Sequence, residues 1–140
     1  MKLPVLLAAA ALAVTAAPSA QAAQSTEQVV RAWSAALNAN HNEAAARLFA
    51  PNAEIVQGTL DARLTTHKAA LAFNQSLPCA GRIIALKVAG WQARATFRLG
   101  QRPKHRCDGP GQLAATLIVV RAGKIVLWAQ IPVPKDMPTA

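Results

Sequence analysis

The chain has 140 residues and carries fifteen Lys and Arg against six Asp and Glu, a formal net charge of +9. That length allows one domain with a real core and excludes two. The charge points toward anionic partners, and two cysteines without CxxC or HExxH spacing exclude a structural metal site of the usual kinds.

The chain opens on Lys2, then an uncharged apolar run from Leu3 to Ala17, then Ala20-Gln21-Ala22. These are the three parts of a secretory signal peptide, and the spacing predicts cleavage after Ala22, giving a leader over residues 1–22. The run is too short to span a bilayer, and Pro4 and Pro18 bracket it. No later segment is a candidate membrane span. The folded part is expected over residues 23–132, with a loose Pro-rich tail over 133–140. Without Lys2, fourteen basic residues face six acidic ones. In an exported protein, nucleic acid is not the expected anionic partner.

"STEQVVRAWSAALNAN" predicts the first helix. Ser25 and Gln28 form a capping box, and Val29, Val30, Trp33, Ala36 and Leu37 recur at helical spacing. Asn42 is expected to cap a second, short helix, "EAAARLF", which Pro51 stops. "AEIVQG" predicts a short strand, and "TLDARLT" an irregular connector. Thr65 or Thr66 caps a third helix, "HKAALAFNQSL", with Ala69 or Ala70, Phe73 and Leu77 inward.

The second half changes period. "RIIALKVAGWQARATFRLG" predicts two strands around a turn near Gly90. Ile84, Leu86 and Val88 share one face of the first strand, and Ala93, Ala95, Phe97 and Leu99 one face of the second. "QLAATLIVVRAGKIVLWAQIPV" predicts a further hairpin turning at Ala122-Gly123-Lys124. Helices first and a four-stranded antiparallel meander last make the fold class α+β, with a curved antiparallel sheet wrapping the first helix.

Cys79 and Cys107 admit three readings: a disulfide closing 29 residues, a reactive thiol paired with His105, or neither. In an oxidising compartment an even count in a small domain favours the bridge. "RPKHRCDGPG" is then a pinned loop in which His105 and Asp108 are exposed. Asn74 in "NQS" matches a glycosylation acceptor, but it falls on a helix in a chain with a bacterial type of leader.

The order of these motifs resembles the nuclear transport factor 2-like superfamily, a cone-shaped fold that includes SnoaL-like cyclases and ketosteroid isomerases. The likeness is carried by "VVRAWSAALNANHNEAAARLFAPNAEIVQG", by "HKAALAFNQSL" and by "RAGKIVLWAQIP", and covers nearly all of the folded part. It implies an α+β cone, commonly paired as a homodimer through the sheet. It also implies, at the end of the first strand, the place where the isomerases carry a general-base aspartate. Here that place falls at or beside Gln57, which is no base. The isomerases' tyrosine on the first helix has no counterpart, since the chain has no tyrosine; Trp33 is nearest. Asp61 and His67 are the one pair that would support SnoaL-like isomerase or cyclase chemistry. Otherwise Trp33, Phe49, Phe73, Phe97 and Trp128 are either core or the wall of a pocket for a small apolar ligand, with Gln57 or Gln130 orienting it. No cofactor motif is present. Arg82, Arg94, Arg98, Arg102, Lys104 and Arg106 are expected on the surface, either as a solvated face or as an anion-binding patch.

Overall fold

The computed structural model describes residues 12–14 and 24–137. The expected leader falls almost wholly outside the described residues, as does the end of the tail. Three helices pack on one face of a six-stranded sheet. In chain order the elements are α1 (Thr26–Asn38), α2 (Asn42–Ala46), β1 (Phe49–Gln57), β2 (Leu60–Leu64), α3 (His67–Ser76), β3 (Ala80–Ala89), β4 (Gln92–Gly100), β5 (Leu113–Arg121) and β6 (Lys124–Ile131). The strand order is β2-β1-β6-β5-β4-β3. Neighbours are antiparallel except β1 and β6, which run parallel. The class is α+β as expected, but the sheet is mixed, because β1 precedes α3 in the chain and closes against the last strand.

α1 begins at the capping box: Ser25 accepts from Gln28 N while Gln28 Oε1 accepts from Ser25 N. Val29, Val30, Trp33 and Leu37 are buried on its inner face. α3 is capped by Thr66, whose hydroxyl accepts from Ala69 N, and it buries Ala70, Phe73 and Asn74. Full burial of Asn74 leaves no room for a glycan there.

Four local expectations need correction. α2 ends at Ala46, and Phe49 is already strand; the register shift between Phe49 and Glu54 makes room for Pro51, which has no N–H for a regular ladder. Asn42 is not the cap of α2: His41 holds that position without a side-chain bond. The expected connector "TLDARLT" contains β2, whose pairing with β1 compensates for its weak apolar pattern. In β3 a bulge between Ile83 and Ala85 places Ile83 opposite Phe97 and Leu86 opposite Ala95, so Ile84 drops out of the inward row.

Candidate functional site

Five of the six aromatic side chains form one chain through the core. Phe49 meets Phe73 at 5.8 Å, Phe73 meets Trp128 at 5.2 Å, Trp128 meets Trp33 at 6.1 Å and Trp33 meets Phe97 at 6.2 Å, all edge to face. Trp33 Nε1 donates to Asn74 Oδ1 at 2.9 Å, and Asn74 Nδ2 donates to Ala70 O at 2.8 Å. That chain therefore has a satisfied polar centre.

One end of the core is not filled. A cavity of about 180 Å³ lies between α1, the α3–β3 connection and the inner face of the sheet. Trp33, Phe97, Leu99 and Trp128 supply its apolar wall, and Leu77, Pro78 and Cys79 one lip. Gln57 and Gln130 also line it, from the ends of β1 and β6; Gln130 is exposed and Gln57 half-buried, so the amides mark the mouth. Neither Phe49 nor Phe73 lines this cavity: Phe73 lies in the packed core, and Phe49 borders a separate hollow that Arg47, His67 and Lys124 also line.

Two wall residues stand apart. Thr116 Oγ1 and Trp128 Nε1 are buried side-chain atoms with no hydrogen-bond partner in the protein. Thr116 is opposite Ala95 on β4 and Gln130 on β6, and so faces inward diagonally from Trp128. An unpaired buried donor or hydroxyl costs about 1–3 kcal/mol. Sequence reasoning named Trp128 but missed Thr116, which the apolar run of β5 hides.

No side chain lining the cavity can titrate: its only cysteine is Cys79, which is bonded to Cys107 with S–S 2.03 Å. Asp61 and His67 are not brought together. Asp61 is exposed on β2 opposite Val56, and His67 Nε2 lies 2.6 Å from Glu43 Oε2 on the far side of the helices. Neither lines the cavity. Among the described residues, no three His, Cys, Asp or Glu side chains are grouped as metal ligands would be.

The pinned loop holds a residue that was expected on the surface. Arg102 is 2% exposed. Its Nε donates to Leu37 O at 2.9 Å and its Nη1 to Asn74 O at 2.9 Å and to Leu77 O; its Nη2 donates to Asn42 Oδ1. The cation thus sits among the C-terminal carbonyls of α1 and α3, where the helix dipoles favour it. Burial pushes its pKa down from the usual arginine value. Two of its acceptors, Leu37 and Leu77, line the cavity. Gly81 braces the other side: its N–H donates to Asn38 Oδ1, and its carbonyl accepts from Ser34 Oγ and Asn38 Nδ2. A Cβ there would meet the Phe97 side chain of β4 at 3.0 Å, so the glycine leaves room for that ring.

No family model and no curated protein matches the sequence. Solved structures do. A nuclear transport factor 2-like protein of unknown function from Cytophaga hutchinsonii aligns at TM-score 0.64 with 13% identity, over 81% of this chain and 92% of its own. A Sinorhizobium meliloti protein named for polyketide cyclases aligns at TM-score 0.62 with 18% identity, over 74% and 94%. A Catenulispora acidiphila protein with a ketosteroid isomerase-like fold, solved in complex with trimethylamine, aligns at TM-score 0.59 with 19% identity, over 75% and 85%. At these identities the likeness establishes the fold.

Proposed function

We propose that this chain, with the nuclear transport factor 2-like cone fold, is an exported binding domain that holds a small, neutral, mostly apolar molecule and does no acid–base chemistry on it. The observation that carries this is a half-open cavity whose wall is apolar and amide, with no titratable side chain. A proton-transfer enzyme of this fold needs a base within reach of the bound molecule; here Gln57 stands at the mouth and cannot serve. A cavity of about 150 Å³ accepts a molecule the size of benzene, so one of about 180 Å³ suits a single ring with a short substituent. The unpaired Thr116 hydroxyl and Trp128 N–H favour a ligand that carries one acceptor oxygen. The disulfide suits the oxidising compartment that export implies.

The probes are acetophenone and ethylbenzene, which share a ring and differ by one oxygen. Isothermal titration should show acetophenone bound about fivefold more tightly, the worth of one net hydrogen bond. Thr116→Val, which keeps the side-chain shape, should narrow that gap while leaving the melting temperature unchanged or higher. Equal affinities that Thr116→Val does not alter, or turnover of the ketone, would refute the reading.

Part of the same reading is pairing of two copies through the outer sheet face. Val56 of β1 and Leu127 and Ile131 of β6 alternate with the buried rows and are each half-buried there. Light scattering at micromolar concentration should give twice the chain mass; a monomer removes the pairing and leaves the cavity reading intact.

A further inference from the structure

The outer face of the β3–β4 hairpin carries a second feature that the cavity does not use. Arg82 is directly opposite Arg98, and Lys87 directly opposite Arg94. Like charges placed opposite each other destabilise a sheet. No carboxylate of these or the next strands offsets them, since β3, β4, β5 and β6 contain no Asp or Glu; Arg98 Nη1 donates to Gly111 O at 3.2 Å. The ion pairs among the described residues are Arg31–Glu27, Arg63–Glu54 and His67–Glu43, and none includes a residue of this hairpin. Arg94 and Arg98 are four residues apart, so the stripe runs about 13 Å along the strand.

At one end of the stripe is the β3–β4 turn, which exposes Trp91 at 60%; Val88, directly opposite buried Ala93, belongs to the other face of the hairpin. The turn is rigidly held. Gly90 has φ +59°, its carbonyl accepts from Thr26 Oγ1 at 2.9 Å, and Trp91 O accepts from Val120 N at 2.8 Å. The Arg121 guanidinium lies 3.6 Å from the centre of the Trp91 ring.

Protection of an edge strand against aggregation is the plain alternative. It accounts for cations on β3, the edge, but not for their partners on β4, an interior strand. It is also at odds with an exposed tryptophan at the tip. We propose that this stripe and tip form a peripheral docking surface for an anionic lipid bilayer, with Trp91 entering the headgroup region and Arg82, Lys87, Arg94 and Arg98 lying over the lipid phosphates. Aromatic rings favour the membrane interface, and each Lys or Arg near an anionic surface adds about fivefold in affinity. The attachment is peripheral: among the described residues no helix is long and apolar enough to cross a membrane.

The test is co-sedimentation of the full chain with phosphatidylcholine vesicles, with and without phosphatidylglycerol. Binding should require phosphatidylglycerol and fall as salt rises. The Lys87→Gln/Arg94→Gln double variant should bind about thirtyfold more weakly, yet melt at the same temperature or higher, because a repulsive pair is gone. Trp91→Ser should weaken binding and abolish the vesicle-induced blue shift of fluorescence. Equal binding to both vesicle types overturns the proposal, as does wild-type binding by the double variant. So does retention on a soluble acidic polysaccharide without vesicle binding.

Discussion

Replacing Arg102 with leucine is expected to cost on the order of 4–5 kcal/mol, the largest loss for any single side chain outside the aromatic chain. The guanidinium serves four acceptors from three segments: Leu37 O ending α1, Asn42 Oδ1 starting α2, and Asn74 O and Leu77 O ending α3. Leucine fills part of the volume and leaves Asn74 O, Leu77 O and Asn42 Oδ1 without this donor, each costing about 1–3 kcal/mol before relaxation; Leu37 O keeps the bond it accepts from Asn40 N. Arg102→Lys should fall between: the cation stays among the helix C-termini, but three donors on one nitrogen cannot reproduce the fork. About 2 kcal/mol is expected for that change, the difference between a partly and a fully deserted acceptor set. Urea unfolding at constant slope measures both. Since Leu37 and Leu77 also line the cavity, the leucine variant should bind acetophenone more weakly even where it stays folded. A leucine variant as stable as the parent would show that water already satisfies the carbonyls and that the guanidinium is dispensable.

Where local chemistry decides structure, the residues could be read directly. Ser25 and Gln28 announce their capping box because both partners lie within one turn. Ala122 and Gly123, both at positive φ, turn the last hairpin as their spacing predicts. Ala93, Ala95 and Phe97 alternate and are buried together. What stayed hidden depends on groups far apart in the chain. β2 alternates Leu60, Ala62 and Leu64 with Asp61 and Arg63, but the run is only five residues long and exposes Leu60, so its pairing with β1 is what makes it a strand. Ile84 changes face through a bulge that β4 imposes. Arg102 reads as one more surface cation, because its acceptors are mostly backbone carbonyls that carry no sequence signature. The cavity was legible only in part: Trp33, Phe97, Trp128, Gln57 and Gln130 could be named, while Thr116 looked like an ordinary β-former inside an apolar run. Phe49 and Phe73 are chemically indistinguishable from wall residues until packing closes around them.

Removing the Cys79–Cys107 bond should lower stability by about 3.5 kcal/mol, from the loop-closure entropy that a 29-residue ring withholds from the unfolded chain. For a domain of this size that is a fall of about 10–15 °C in melting temperature. The double Cys→Ser variant and the reduced parent should agree, since both free the same loop. The consequences extend to the cavity, because Pro78 and Cys79 form its lip and Cys107 ties that lip to the loop that delivers Arg102. Arg102 and the bridge fasten the same two segments, so their effects cannot be independent. With the bridge intact, the loop is held close when Arg102 is replaced; without it, the guanidinium must order the loop by itself. The triple variant should therefore lose more than the two losses added, or fail to fold. Simple additivity in a double-mutant cycle would mean that the bridge and the arginine act separately, and that the mouth of the cavity is set by the sheet alone.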